Sequence, residues 1–160
     1  MPKIVDHDSH RAELALRAAS YFSEHGYGGV SMRKIAAYLG VSKSALYHYF
    51  PTKEALFLAS TEAAMQAIPA PDALSAATPE EQMAQLSAAM APSFGAEMAL
   101  LFDYLRGKTA AEIAADDAMQ LALSAYRSTV AGIVGDDAAD DALDRLLGRL
   151  LMGYFRGASR

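Results

Sequence analysis

Apolar residues recur along this chain at the three- and four-residue spacing of α-helices, and no segment shows the two-residue alternation of a β-strand. Glycines interrupt this pattern at Gly26, Gly40 and Gly135. Glycine is common at helix ends because, without a side chain, it readily adopts the left-handed backbone conformation found there. The chain is also rich in alanine, which favours helix. We therefore predict an all-α fold built from several helices.

Four helices are predicted before the first strong break. The first ends at Gly26, and the second is capped by Ser31 and ends at Gly40. The third extends from Ser42 to about Tyr49, and the fourth begins near Lys53. These segments predict a compact N-terminal head.

The run Pro69-Ala70-Pro71 interrupts the fourth helix and is the predicted boundary. We assign residues 1–58 to the head, extended by a connecting helix to about residue 68, and residues 72–160 to a small helical body. In the body, Thr78 and Thr109 are predicted to start helices with capping boxes, and Pro92 to open a further helix that ends at Gly107. The last two helices are expected at about 116–134 and 137–156.

Charge is distributed unevenly between the two parts of the chain. The net charge is -5, but residues 1–58 hold seven Lys/Arg against five Asp/Glu, while residues 59–160 hold seven against fourteen. All four histidines lie in the first part. A basic head on an acidic body suits a polyanion-binding protein.

The composition excludes several classes of function. The chain has no cysteine, which removes thiol catalysis, Cys-based zinc sites and disulfides. Its most apolar stretches, Ala96–Leu105 and Leu146–Phe155, are too short to span a bilayer, and its start lacks the apolar run of a signal peptide. We expect a cytoplasmic protein without a cofactor.

The segment from Val30 to Phe57 has the anatomy of a helix-turn-helix. Gly40 permits a tight turn, Val41 fills the angle between two helices, and Leu46 and Phe50 give the second helix a buried side. The residues left facing outward are small, hydroxyl-bearing or basic. A helix of this kind can enter the major groove of DNA and reach base edges.

This segment resembles the DNA-binding head of the TetR family of transcriptional regulators over roughly residues 10–58. The matching features are an Ile-Ala pair, a Gly-Val turn, a Leu-Tyr-x-x-Phe recognition helix and a Lys-Glu-x-Leu helix start, here Ile35-Ala36, Gly40-Val41, Leu46–Phe50 and Lys53–Leu56. The Phe22…Gly26-Tyr27 end of the first helix matches as well. Ser44-Ala45 and Tyr49 depart from the commoner residues, so base preference does not transfer.

The resemblance implies a set of DNA contacts. The candidate residues are Ser31, Arg33, Ser42, Lys43, Ser44, Tyr47, His48, Tyr49 and Lys53. Ser31, Arg33 and the two tyrosines are expected at phosphates, with Lys53 as a further phosphate clamp. Lys43 has few structural roles open to it and is the strongest single candidate, whereas Tyr47 is also compatible with a core position and His48 with a plain surface position.

An apolar stripe on the last helix predicts a homodimer. Its members follow helical spacing: Leu143, Leu146, Leu147, Leu150, Leu151 and Tyr154. TetR relatives dimerise through such helices, and two recognition helices about 34–36 Å apart read a palindromic operator. The alternative is that this stripe belongs to an ordinary core within one chain.

The resemblance also implies an effector pocket in the body that makes the protein a ligand-responsive repressor. The candidate lining for a small apolar effector is Met65, Met83, Met90, Phe94, Met98, Phe102 and Tyr126. The same residues are also compatible with a simple core, and the body is short for the family.

Two other classes of function compete with a regulator. One is a helical protein-interaction module without DNA binding, and the other is an enzyme. The Asp6–His10 run and the aspartates after Gly135 could in principle bind a metal, but we assign no metal site because acidic residues are favoured at helix starts.

Overall fold

The computed structural model describes residues 6–157, and all regular secondary structure in that range is helical. The α-helices are α1 (His7–His25), α2 (Met32–Leu39), α3 (Lys43–Tyr49), α4 (Lys53–Met65), α5 (Pro79–Leu105), α6 (Ala110–Ala114), α7 (Asp117–Val134) and α8 (Asp136–Phe155). One 3-10 turn at Pro71–Ala73 lies between α4 and α5. The predicted all-α fold is confirmed.

The helices α1 to α4 pack around one apolar core, which we call the head core. Its largest fully buried side chains are Leu14, Phe22, Ile35, Leu46, Phe50 and Leu56, each at most 1% exposed. Burial of each such side chain stabilises the fold by about 1.5–3 kcal/mol. The short helices α2 and α3 depend on this packing because isolated helices of their length are unstable in water.

The head core continues into the body at one end. Tyr104 of α5 and Ala118 of α7 are buried in it. The ring of Tyr104 stacks on Phe57 of α4 with 4.1 Å between the ring centroids, and the ring of Tyr27 lies edge-on to both. A shift of α5 would therefore change its ring contacts with α4 and with the loop after α1.

A second apolar core lies among α5, α7 and α8, with Leu86, Phe94, Val130 and Leu146 buried in it. Here one prediction was wrong, because Pro92 does not open a new helix but lies inside the continuous helix α5. Residues at four-residue spacing on both sides of the proline are buried in this core, and their burial outweighs the hydrogen bond that proline cannot donate. Within residues 6–157, no helix combines the length and apolarity needed to cross a membrane.

Candidate nucleic-acid interface

The turn between α2 and α3 is fixed by local hydrogen bonds. Gly40 has a left-handed backbone (φ 72°), and its amide donates to carbonyls near the end of α2. The amide of Val41 donates to the carbonyl of Ala36 at 3.1 Å, and Ser42 Oγ accepts from the amide of Ala45 at 3.0 Å. These contacts fix the direction in which α3 leaves the turn.

Helix α3 has one buried face and one exposed face. Leu46 and the following Phe50 are fully buried in the head core. Lys43, Ser44 and His48 are exposed, and Tyr47 is 41% exposed. The polar side of this helix is therefore free to enter a groove, as the sequence predicts for a recognition helix.

The start of α2 adds a second polar group beside this face. Ser31 is exposed, and its Oγ accepts a hydrogen bond from the amide of Lys34 at 3.4 Å, which leaves the hydroxyl proton free to donate. Arg33 and Lys34 are exposed in the first turn of α2. Positive side chains at a helix N-terminus attract anions such as phosphate.

Two of the nine predicted contact residues are only half exposed. The hydroxyl of Tyr49 lies 3.2 Å from Nδ1 of His7, so that it joins the end of α3 to the start of α1. Lys53 Nζ donates to the carbonyls of Tyr27 at 3.0 Å and Val30 at 3.2 Å, and lies 4.2 Å from the centroid of the Tyr27 ring. A phosphate clamp at Lys53 would have to use its one remaining donor.

The loop after α1 is also held from the body by Asp103 of α5. Its Oδ2 accepts from the amides of Tyr27 and Gly28, both at 2.8 Å. These two hydrogen bonds, that from Gly28 first, hold the pKa of Asp103 below its ordinary value. The sequence contains no local signal for this pairing, because its partners lie about 75 residues apart.

A cleft of about 680 Å³ lies between the head and the body, lined by α1, α4, α5 and α7, with one residue of α8. Of the predicted pocket residues, Met65, Met90, Met98 and Tyr126 line it. The other three do not: Phe94 is buried in the second core, Met83 packs against that core, and Phe102 is 61% exposed. The spacing identified an apolar face of α5 but not which side of it faces the cleft.

The six residues of the predicted dimer stripe on α8 differ in how far they are exposed. Leu143, Leu146 and Leu150 are at most 7% exposed and pack in the second core of their own chain, so their assignment to a partner surface was wrong. Leu147 and Leu151 are half-buried against the same core, and Tyr154 is 43% exposed. Exposed Met152 and Phe155, which the prediction missed, lie beside them.

The segments weighed as metal sites have other structural roles. Asp6 caps α1 by accepting from the amide of Asp8, and Asp136 and Asp140 both pair with Arg127. Among residues 6–157, no group of three or more His, Asp or Glu side chains is placed to hold a metal ion.

Comparison with known proteins gives a family match over the head. The family model described as bacterial regulatory proteins, tetR family, matches residues 16–60, which include the end of α1, all of α2 and α3, and the first part of α4. This range holds most of the predicted head and all nine candidate contact residues. The match therefore covers the proposed recognition helix itself.

Three similar curated proteins each match about a third of the chain or less. The repressor AcnR of Corynebacterium diphtheriae is 43% identical over 49 residues, covering 31% of this chain and 26% of that protein. The regulator PksA of Bacillus subtilis is 41% identical over 56 residues, covering 35% of this chain and 27% of that protein. The regulator RutR of Escherichia coli is 48% identical over 42 residues, covering 26% of this chain and 20% of that protein.

These matches span about a quarter of the length of the relatives, and each relative is named as an HTH-type transcriptional repressor or regulator, none as an enzyme. The helix-turn-helix geometry and the family model agree on the same residues, and the relatives are named for that motif. Through residues 16–60, the chain is similar to the TetR family of bacterial regulatory proteins.

Proposed function

We propose that this chain is a transcriptional regulator that binds duplex DNA through α2 and α3. The observation that carries the proposal is that α3 has one buried face and one polar exposed face. Leu46 and the following Phe50 anchor the helix in the head core. The side chains of Lys43, Ser44 and His48 face solvent. At the exposed start of this helix the Lys43 amine lies 5.6 Å from the centroid of the Tyr47 ring, and a basic side chain in this position can reach the major groove of DNA.

The contacts divide into two kinds. In this proposal the exposed residues Ser31, Arg33 and Tyr47 bind phosphates and fix the register of the head on the duplex. We assign the base edges to Lys43 and Ser44, in the first turn of α3, because the N-terminal residues of a recognition helix enter the groove first. The bases read by this chain depend on the second group.

We propose further that the protein acts as a homodimer on a palindromic operator. The exposed apolar residues near the end of α8, Met152, Tyr154 and Phe155, are candidates for the contact with a second copy, together with half-buried Leu151. A two-fold dimer places two recognition helices one turn of DNA apart, about 34–36 Å. Because the matching family model describes bacterial regulatory proteins, and bacterial DNA lies in the cytoplasm, we propose a cytoplasmic location.

Ligand response is the third part of the proposal, and it makes the protein a repressor that an effector releases. The cleft touches both α1 of the head and α5 of the body, so an occupant can favour one arrangement of these helices over another. A difference of about 1–3 kcal/mol between the two arrangements is typical of such coupling. Asp103 and Tyr104 provide a direct connection from α5 to the head.

A binding experiment tests the proposal. Duplexes are selected from random DNA by the purified chain, and their affinity is measured by fluorescence anisotropy at several salt concentrations. We expect a selected sequence with two-fold symmetry and an affinity that falls steeply with salt, because bound phosphates release their counterions. Selection of no sequence, with affinity independent of salt, would refute DNA binding and favour a protein-interaction module.

A further inference from the structure

The cleft between the head and the body has an unusual charge pattern. Its lining contains two acidic residues, Glu24 and Glu97, and no lysine, arginine or histidine among the described residues. The remaining lining is mostly apolar, with the methionines Met65 and Met98 and the aromatic residue Tyr126 among its members. A cleft with this lining disfavours anions and favours neutral or positively charged molecules.

Glu97 lacks a positively charged partner in this setting. It is half-buried on α5, and its Oε2 accepts a hydrogen bond from the hydroxyl of Tyr126 at 3.3 Å. None of the ion pairs formed within residues 6–157 includes Glu97. A carboxylate in partly apolar surroundings is unfavourable without an opposite charge, and a bound cation would supply one.

The hydroxyl of Tyr126 cannot supply that charge balance. Burial, followed by the charge of Glu97 itself, raises the pKa of Tyr126, so this side chain stays neutral and its hydroxyl donates a hydrogen bond to the carboxylate. The pair therefore presents a net negative charge to the cleft.

A second polar group at the cleft also lacks a partner. Ser60 of α4 lines the cleft, is 3% exposed, and has no hydrogen-bond partner for its Oγ within the described part of the chain. The neighbouring Thr61 does bond its Oγ1 to the carbonyl of Phe57, one turn earlier in the helix. Buried hydroxyls are normally paired, so Ser60 is available to a polar group of an occupant.

We propose that this cleft binds a lipophilic cation, such as an ammonium or phosphonium that carries aromatic or long alkyl groups. The charge lies at Glu97, the apolar groups contact the methionines and aromatic rings, and a polar substituent, where present, bonds to Ser60. The volume falls within the range of sites for drug-sized ligands. This inference rests on the proposed ligand response and names the chemistry of the ligand.

Two ions of equal shape and opposite charge test the proposal. Tetraphenylphosphonium and tetraphenylborate are titrated into the full chain by isothermal calorimetry. We expect the phosphonium to bind at least about ten-fold more tightly, and Glu97→Gln to weaken its binding about ten-fold while leaving the borate unaffected. Glu62→Gln, an exposed residue of α4 outside the cleft, is the matched control and should change neither.

A second variant places the binding in the cleft. Ala122 of α7 lines the cleft, so Ala122→Phe fills part of it and should abolish phosphonium binding while the helical circular dichroism is retained. Equal binding of both ions, no binding of the phosphonium, or unchanged phosphonium affinity in Glu97→Gln would each overturn the proposal. If Ala122→Phe does not fold, the Glu97 comparison decides alone.

The DNA assay separates this inference from the proposed function. A chain that binds its selected DNA but not the phosphonium refutes the cation site and leaves the regulator intact. A chain that binds the phosphonium through Glu97 but no DNA supports the site and refutes the regulator. We also expect saturating phosphonium to change DNA affinity by at least about five-fold, because α1 forms one wall of the cleft.

Discussion

Replacing Lys43 by alanine removes one of three exposed Lys/Arg side chains on α2 and α3, the others being Arg33 and Lys34. A dimer loses two such charges, and each phosphate contact contributes about 0.9 to the slope of log affinity against log salt. If Lys43 contacts a DNA phosphate, the slope of log affinity against log salt falls by about 2 in the dimer. If Lys43 contacts a base, the binding free energy falls by about 1–3 kcal/mol at the cognate sequence and by less at other sequences.

Lys53→Ala is the informative comparison, because Lys53 has the same charge but a different environment. Its Nζ donates to two backbone carbonyls and lies against the ring of Tyr27. We expect the substitution to reduce the free energy of unfolding by about 2 kcal/mol, since the carbonyls lose a charged donor. The salt slope of the folded variant should stay close to that of the parent.

Both variants are measured by anisotropy between about 50 and 200 mM salt and by urea denaturation followed by circular dichroism. Lys43→Ala should change the DNA affinity and leave the stability intact, and Lys53→Ala should do the reverse. If Lys53→Ala flattens the salt dependence as much as Lys43→Ala does and unfolds at the same urea concentration, the structural role of Lys53 is refuted.

Three further outcomes are expected. Phe155→Glu should give a monomer in size-exclusion chromatography with light scattering. Phe102, on α5, is similarly exposed, and Phe102→Glu should leave the dimer intact; a dimer in both cases would contradict the α8 contact. Asp103→Asn should lower the free energy of unfolding at pH 7, and the variant should lose less of that free energy than the parent when the pH is lowered. The lowered pKa of Asp103 stabilises the fold above about pH 4, and this contribution disappears as the pH falls toward the folded pKa. Parallel acid unfolding curves of variant and parent would contradict this role. Gly95→Ala should give a lower thermal midpoint than Gly148→Ala, because a Cβ at Gly95 would lie 2.5 Å from a tyrosine ring of α8 whereas a Cβ at Gly148 has nothing within 4 Å; equal thermal midpoints would contradict this packing.

Local signals predicted the helix starts well. Ser31, Ser42, Thr78 and Thr109 all cap the helices that the sequence assigned to them. A cap depends on a side chain and an amide three residues away, so the information lies within one turn of chain. The same reasoning failed at Pro92, where burial along the whole of α5 outweighed a local break.

Partners across the fold could not be predicted in the same way. The leucine spacing of α8 identified an apolar stripe correctly, but periodicity does not say whether that stripe meets its own chain or a second copy. The structure covers Leu146 with the second core, and the bond from Asp103 to Gly28 joins segments with no sequence relation. Such pairings depend on how helices pack, which spacing alone does not determine.

The most direct test of DNA recognition by α3 is a two-dimensional amide NMR spectrum of the isotope-labelled chain with and without its selected duplex. We expect the largest shifts at Lys43–His48 and at the first turn of α2, with little change when a scrambled duplex is added. Shifts confined to α7 and α8, with α3 unchanged at saturating DNA, would contradict the account.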